Sequence, residues 1–234
     1  MNATSNMVRA LSLIAPLFSS LTEAEYDDAC RNPAWRDVGG PAAPLARDVV
    51  ERALALPAWR VRSTLQNYVL LPGMPLAALP VESLYKPWSA APGNAFGAQR
   101  GLYLGDSAQH IQAVCAALEL DVPERYAAMP DHLSLLLDLL ALFVESGNAQ
   151  AAADLAADHF DWLGDYVARP ARLPTRRAAA LTSSVAPRQG GHRPSAGLSR
   201  WTAALVRAVA PGRERTALTS NDGCGFACLR YAER

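Results

Sequence analysis

The pair Asp131-His132 holds the side chains best suited to chemistry, because a carboxylate stands beside an imidazole just before a strongly apolar segment. Histidine titrates near neutral pH, and an adjacent acid can orient it for general acid–base catalysis. No nucleophile or second base stands at a telling spacing from the pair, which argues against catalysis. Two interpretations stay open. The pair either starts a helix, or presents a donor and an acceptor at the mouth of a groove that binds a peptide backbone or a charged ligand.

Metal binding is the other chemistry that the residue types permit. One possible ligand set combines three histidines with a carboxylate, namely His110, His132, His159 and Asp131. Their spacing matches no zinc signature, and His159 on an apolar helix face is better explained as a hydrogen-bonded core histidine. Cys224 and Cys228 form a C-x3-C pair. One such pair supplies only two of the four ligands that a structural zinc site needs, so we interpret it as incidental. The sequence therefore predicts neither a metal nor another cofactor.

Charge is distributed unevenly along the 234 residues, although 22 basic and 22 acidic residues balance overall. Residues 1–168 carry 10 basic and 19 acidic residues, a net charge of −9, whereas residues 169–215 carry 10 basic residues and one acidic residue, a net charge of +9. An acidic body argues against nucleic acid as the main partner and favours a basic peptide or protein. Alternatively, the acidic surface only keeps the protein soluble.

Cysteine usage and hydropathy indicate a cytoplasmic protein. Four cysteines in a chain of this length do not form a disulfide framework, which fits a reducing compartment. No apolar run approaches the roughly 20 residues needed to cross a bilayer. The apolar run at residues 11–18 contains Pro16 and has only a thin basic region before it, so we do not expect a secretory signal.

The hydrophobic periodicity predicts an all-α protein, a single-domain helical bundle. Apolar residues at helical spacing place helices at residues 7–21, 22–30, 46–54, 59–71 and 106–118. A buried helix then opens with Pro130-Asp131-His132 in its first turn, and an antiparallel partner follows, capped by Asn148 and extending to Tyr166. Two further start signals are a capping box at Thr22 and Glu25 and an expected N-cap at Asp106.

Two regions depart from the helical pattern. Residues 72–101 contain five prolines and four glycines but are too apolar for a solvated linker, so we expect them to cover the core and in part to line a binding surface. After the helical domain at residues 1–168, we predict a flexible basic insert at residues 169–198. A C-terminal helix at residues 199–210 is predicted to dock on the domain, and a poorly ordered tail follows at residues 211–234.

Three stretches carry a family resemblance: Leu79–Tyr85, Gly101–Ser107 with the helix after it, and Pro130–Leu133 with its apolar helix and the hairpin ending at His159–Leu163. In this order and spacing they resemble the TorD/DmsD/NarJ-type chaperones of molybdenum enzymes, the Tat proofreading or redox enzyme maturation family. The resemblance covers about residues 7–168. The Pro-Asp-His element is its most specific part.

The resemblance implies a cytoplasmic chaperone of TorD-like fold, with no catalytic turnover and no cofactor. Such proteins bind the twin-arginine leader, or an equivalent N-terminal segment, of the catalytic subunit of a molybdopterin oxidoreductase until cofactor insertion is complete. It implies a peptide-binding role for Asp131, His132, Pro80 and Ser83, and more weakly for Tyr85 and Val81. We expect no nucleic acid partner and no stable membrane association, and either a monomer or a helix-swapped dimer.

Some features depart from the family pattern. Met129 stands where the family often has an acidic residue before Pro-Asp-His, which removes one possible anionic contact. The basic insert and the cysteine-bearing tail have no counterpart in the family pattern. Two alternative functions therefore stay open: a metal-dependent hydrolase-like enzyme that uses Asp131 and His132, and a helical adaptor that acts through its basic C-terminal segment.

Overall fold

The computed structural model describes residues 3–38, 58–70, 72 and 77–171, and within these the protein is an all-α helical bundle. The described part contains eight α-helices. Their bounds are Ala3–Ile14 (α1), Glu23–Arg31 (α2), Ala34–Val38 (α3), Trp59–Val69 (α4), Asp106–Ala117 (α5), Leu133–Glu145 (α6), Ala149–His159 (α7) and Leu163–Ala171 (α8). Single 3₁₀ turns lie at Ala15–Phe18, Glu82–Leu84 and Glu124–Tyr126. The helix predicted at residues 46–54, the predicted C-terminal helix and tail, and Cys224 and Cys228 lie outside the described residues.

The predicted buried helix is confirmed as α6, which forms the centre of the bundle. It packs against α1, against the Ala15–Phe18 turn and against α7. Leu133, Leu136 and Leu137 are fully buried in these contacts. Burying one leucine side chain stabilises a fold by about 1.5–3 kcal/mol, so this face of α6 is the main source of apolar stabilisation near the site. No helix in the described residues is both long and apolar enough to cross a membrane.

The start of α6 differs from the prediction that placed Pro130-Asp131-His132 in its first turn. The helix begins at Leu133, and His132 is its N-cap, with the Nδ1 atom accepting a hydrogen bond of 3.2 Å from the Ser134 N–H. His132 has extended backbone angles. Its segment pairs with a distant part of the chain, which keeps Asp131 and His132 out of the helix.

The first predicted helix is also shorter than expected. Helix α1 ends at Ile14, and a 3₁₀ turn containing Pro16 follows, because proline lacks the N–H that an α-helix would use there. Leu17 and Phe18 nevertheless stay buried. The predicted capping box is confirmed: the Glu25 N–H donates to Thr22 Oγ1 at 3.3 Å, and the Thr22 N–H donates to Glu25 Oε2 at 2.7 Å.

The predicted helical hairpin is confirmed, with a break in its second arm. Asn148 caps α7 by accepting a hydrogen bond of 3.1 Å from the Ala151 N–H. The arm predicted to run to Tyr166 stops at His159 and restarts at Leu163. Trp162 occupies the break and donates its indole N–H to the His159 carbonyl oxygen at 2.7 Å. That bond satisfies a carbonyl at the end of α7 in place of a continued helix.

Candidate peptide-binding site

Two segments far apart in sequence meet at the N-terminus of α6, and we call their contact the Asp131 junction (residues 80–83 and 131–133). The Leu133 N–H donates to the Pro80 carbonyl at 2.8 Å, and the Glu82 N–H donates to the Asp131 carbonyl at 3.2 Å. These bonds flank an isolated antiparallel bridge between Val81 and His132. The junction therefore joins the loop before α5 to the start of the central helix.

The Asp131 carboxylate is fully buried inside this junction. Its Oδ2 atom accepts hydrogen bonds from the Ser83 N–H at 2.6 Å, from the Ser83 hydroxyl and, at 3.3 Å, from the Ser107 hydroxyl. Its Oδ1 atom is buried and has no hydrogen-bond partner among the described residues. A buried polar atom without a partner costs about 1–3 kcal/mol, so Asp131 holds an acceptor that a donor from outside could stabilise.

His132 contributes a neutral imidazole to the junction. Burial, together with the nearby positive charge of Arg125, lowers the pKa of His132 to about 4, so the ring is uncharged at neutral pH. Because Nδ1 accepts from the Ser134 N–H, the ring proton is on Nε2. The ring also packs against Tyr126, with the ring centroids 4.8 Å apart. His132 is therefore a helix cap and a hydrogen-bond donor, and not a cation.

The structure brings together five of the six residues predicted to bind a peptide. Pro80, Val81, Ser83, Asp131 and His132 all lie in the Asp131 junction, and each of them is buried. The junction is thus closed to solvent in this structure. The peptide-binding role of these residues stays a prediction.

Tyr85, the sixth predicted residue, points elsewhere. Its ring stacks on Trp162 with centroids 5.1 Å apart and meets Tyr166 edge-on at 5.8 Å. The Arg169 guanidinium lies over the same ring, 5.6 Å from its centroid. Tyr85 therefore anchors the loop to the α7–α8 connection and does not face Asp131.

A second group of polar side chains lies beside the junction, and we call it the Glu82 network (Glu82, Lys86, His110, His159 and Asp161). Its two histidines were considered from the sequence, but Glu82, Lys86 and Asp161 were not. Glu82 is fully buried: its Oε2 atom lies 2.7 Å from His159 Nδ1, and its Oε1 atom lies 2.8 Å from Lys86 Nζ. Lys86 Nζ also lies 2.8 Å from Asp161 Oδ1. The sequence signal for this network is the i, i+4 spacing of Glu82 with Lys86, the single lysine of the chain.

Burial dominates the electrostatics of this network. It raises the pKa of Glu82, against the opposing influence of His159 and Lys86. Burial alone would lower the pKa of Lys86, but Glu82 and Asp161 outweigh it and raise that pKa. The prediction that His159 is a hydrogen-bonded core histidine is confirmed, since it is buried and bonded through both ring nitrogens.

The metal site considered from the sequence is not assembled. His110 and His159 do meet, with Nδ1 and Nε2 2.8 Å apart, but His132 lies in the Asp131 junction. Across the parts of the chain that the structure describes, no three histidine, cysteine or acidic side chains are placed to hold a metal ion.

Three large apolar side chains are exposed on the loop before α5, and we call them the apolar rim. Phe96, Tyr103 and Leu104 are 54%, 37% and 41% exposed. The pKa of Tyr103 is raised by partial burial and by the Asp131 carboxylate, which places its phenol within electrostatic reach of that group. Leu104 has a φ of 59°, a strained conformation for a residue with a β-carbon.

A comparison with protein families matches part of the chain. A family model described as "Nitrate reductase delta subunit" matches residues 68–169. Over that stretch the chain is similar to nitrate reductase delta subunits. The matched stretch is less than half of the chain but includes the whole Asp131 junction and the Glu82 network. No curated protein and no solved structure matches the chain.

This match supports a relationship with the redox enzyme maturation proteins. The nitrate reductase delta subunit family consists of chaperones for the maturation of molybdoenzymes, and it is all-α. The matched family is of the NarJ type, and the TorD and DmsD subtype stays a prediction.

Proposed function

We propose that this protein is a cytoplasmic chaperone that binds the N-terminal leader of a molybdopterin oxidoreductase catalytic subunit and assists its maturation. The family match to the residues that form the Asp131 junction supports this function. The excess of acidic residues in residues 1–168 suits a leader that carries paired arginines.

The observation that carries the site assignment is the unpartnered Oδ1 atom of Asp131. The other carboxylate oxygen already receives donors from Ser83 and Ser107, so the group is held in place while Oδ1 has no partner among the described residues. A guanidinium offers several N–H donors in a planar fork and binds carboxylates more strongly than a neutral donor does. An arginine of the leader that reaches the Oδ1 atom would therefore compensate the buried carboxylate of Asp131.

The apolar part of such a leader needs a different surface. Phe96, Tyr103 and Leu104 offer exposed apolar area on the loop before α5, and the Asp131 carboxylate acts electrostatically on the Tyr103 phenol. Burying this area against an apolar peptide contributes about 25 cal/mol per Å² before the entropic costs of binding. The paired arginines would give specificity and the rim would give affinity.

Isothermal calorimetry with synthetic leaders of molybdopterin oxidoreductases tests the proposal. We expect a leader with its two arginines to bind, and the same peptide with both arginines replaced by glutamine to bind at least tenfold more weakly. The change Asp131→Asn should weaken binding by about ten- to a hundredfold, because the charge-assisted bonds are lost.

The matched control is Asp138→Asn, which removes an exposed carboxylate from α6 and should leave binding unchanged. Circular dichroism of both variants checks that helicity is retained. Equal binding by the wild type and by Asp131→Asn would reject the site assignment. Failure of every leader to bind would reject the function.

A further inference from the structure

A chain of hydrogen bonds connects the protein surface to the Asp131 junction through the Glu82 network. His110 on α5 is exposed, and its Nδ1 atom lies 2.8 Å from Nε2 of the buried His159 at the end of α7. The Nδ1 atom of His159 lies 2.7 Å from Glu82 Oε2. Glu82 and Ser83 are neighbours in one 3₁₀ turn, so the last carboxylate of this chain stands beside the residue that binds Asp131.

Proton positions along this chain follow from which atoms can donate. An ionised Glu82 only accepts, so His159 donates through Nδ1–H and leaves Nε2 as an acceptor. His110 must then donate its Nδ1–H to His159. This arrangement uses two neutral histidines, and the charge of Glu82 is balanced by Lys86 at 2.8 Å.

The pair of histidines links the exposed ring of His110 to Glu82 through the buried ring of His159. Burial and His159 lower the pKa of His110, and the nearby Asp158 carboxylate raises it. Lys86 and Asp161 are charged groups that also face the network.

We propose that Glu82 is the positioning residue of the Asp131 junction and that the His110–His159 pair holds the Glu82 side chain in place. The side chain of Glu82 is fixed by His159 and Lys86, while its backbone N–H donates to the Asp131 carbonyl. The 3₁₀ turn is thus held through both the side chain and the backbone of Glu82. Because Ser83 is the next residue in this turn, the position of Ser83 depends on Glu82. The consequence for peptide binding rests on the proposed function, whereas the positioning role belongs to the free protein.

Two substitutions of His159 distinguish a residue that positions Glu82 through a hydrogen bond from a residue that only fills the space between Glu82 and His110. Asparagine places its amide where Nδ1 of histidine stands, so His159→Asn keeps a donor for Glu82 and loses His110. Glutamine reaches the Nε2 position, so His159→Gln keeps a partner for His110 and loses the bond to Glu82. Both variants are neutral amides, which makes each a control for the other.

Amide hydrogen exchange of Ser83, measured by NMR on the full chain without peptide, is the deciding readout. We expect the Ser83 amide to exchange about tenfold faster in His159→Gln, and at the wild-type rate in His159→Asn and in the surface control Gln112→Ala. Equal exchange in the two His159 variants would overturn the positioning role.

Calorimetry with leader peptides separates this inference from the proposed function. If Ser83 exchange differs between the two His159 variants but no leader binds, the proposed function fails and this inference stands. If leaders bind but Ser83 exchanges equally in the two His159 variants, the proposed function stands and this inference fails.

Discussion

The hydrogen bond between the Ser83 hydroxyl and Asp131 is the strongest single test of the Asp131 junction. Both side chains are buried, and the acceptor is a carboxylate, for which one hydrogen bond contributes about 1.5–3 kcal/mol to stability. A double-mutant cycle isolates that contribution, using Ser83→Ala, Asp131→Ala and the double variant.

The expected magnitudes follow from the contacts. Ser83→Ala removes one bond to the carboxylate and should cost about 1.5–3 kcal/mol. Asp131→Ala removes the bonds from the Ser83 N–H and hydroxyl but also relieves the unpartnered Oδ1 atom, which leaves a net cost of about 2–4 kcal/mol. The coupling energy between the two positions should be about 1.5–3 kcal/mol, since the double variant loses the hydroxyl bond only once.

Urea unfolding followed by circular dichroism measures all four stabilities, provided that the slope against urea concentration stays constant. The cycle between Ser107 and Asp131 serves as the comparison. The Ser107 hydroxyl is 3.3 Å from the same oxygen, and its coupling energy should be smaller. A coupling energy between Ser83 and Asp131 below about 0.5 kcal/mol would refute this account, because the effects of substitutions at independent sites add to within about that amount.

Three further predictions concern the elements around the junction. The pKa of His132 falls from 6.5 to about 4 on folding, so the unfolded state binds more protons between these two pH values. The contribution of His132 to the free energy of unfolding should be complete above pH 6.5. It should decline by at most about 3 kcal/mol as the pH falls toward 4. His132→Asn keeps a capping acceptor, so a comparison of urea midpoints at several pH values should show a smaller acid loss in this variant. Ser134→Ala removes a buried bond of 2.7 Å to the Ala15 carbonyl and should lower the free energy of unfolding by about 1–2 kcal/mol in urea titrations. Leu104→Gly should raise the thermal midpoint by relieving about 1 kcal/mol of strain. Gly105→Ala should lower the thermal midpoint, because the added Cβ would lie 2.6 Å from a backbone oxygen. A lower midpoint for Leu104→Gly, or a higher one for Gly105→Ala, would contradict the respective prediction.

Local patterns in the sequence were enough to locate most helices of the described region. Helix α6 is apolar on nearly every side, and the capping residues Thr22 and Asn148 act within three positions of themselves, so their effects are visible in short windows. The start of α6 was misplaced because the backbone at Asp131 pairs with Glu82, and no local rule reports such a contact. Asp106 was misassigned as an N-cap for a similar reason, since its carboxylate accepts from the distant Ala90 N–H at 2.7 Å.

The composition of the site was predictable only in part. The family resemblance gave most of the residues that form the Asp131 junction. It also included Tyr85, which lies outside the junction because its ring packs against Trp162 and Tyr166, residues distant from it in sequence. Glu82 and His159 are 77 residues apart, and their pairing follows from the packing of α7 beside the loop. The burial of Asp131 and Glu82 was not predictable either, because charged residues are usually exposed and a sequence pattern gives no sign of the exception.

The contact between α1 and α6 also determines when this protein can complete its core during synthesis. The hydrogen bond from Ser134 to Ala15 spans 119 residues, and α1 has its most extensive packing against α6. At a translation rate of about 5–20 residues per second, the start of α6 is synthesised roughly 6–24 s after the end of α1. During that interval the N-terminal helix offers an exposed apolar surface to the ribosome and to cellular holdases, so this fold cannot close its centre before α6 has left the ribosome.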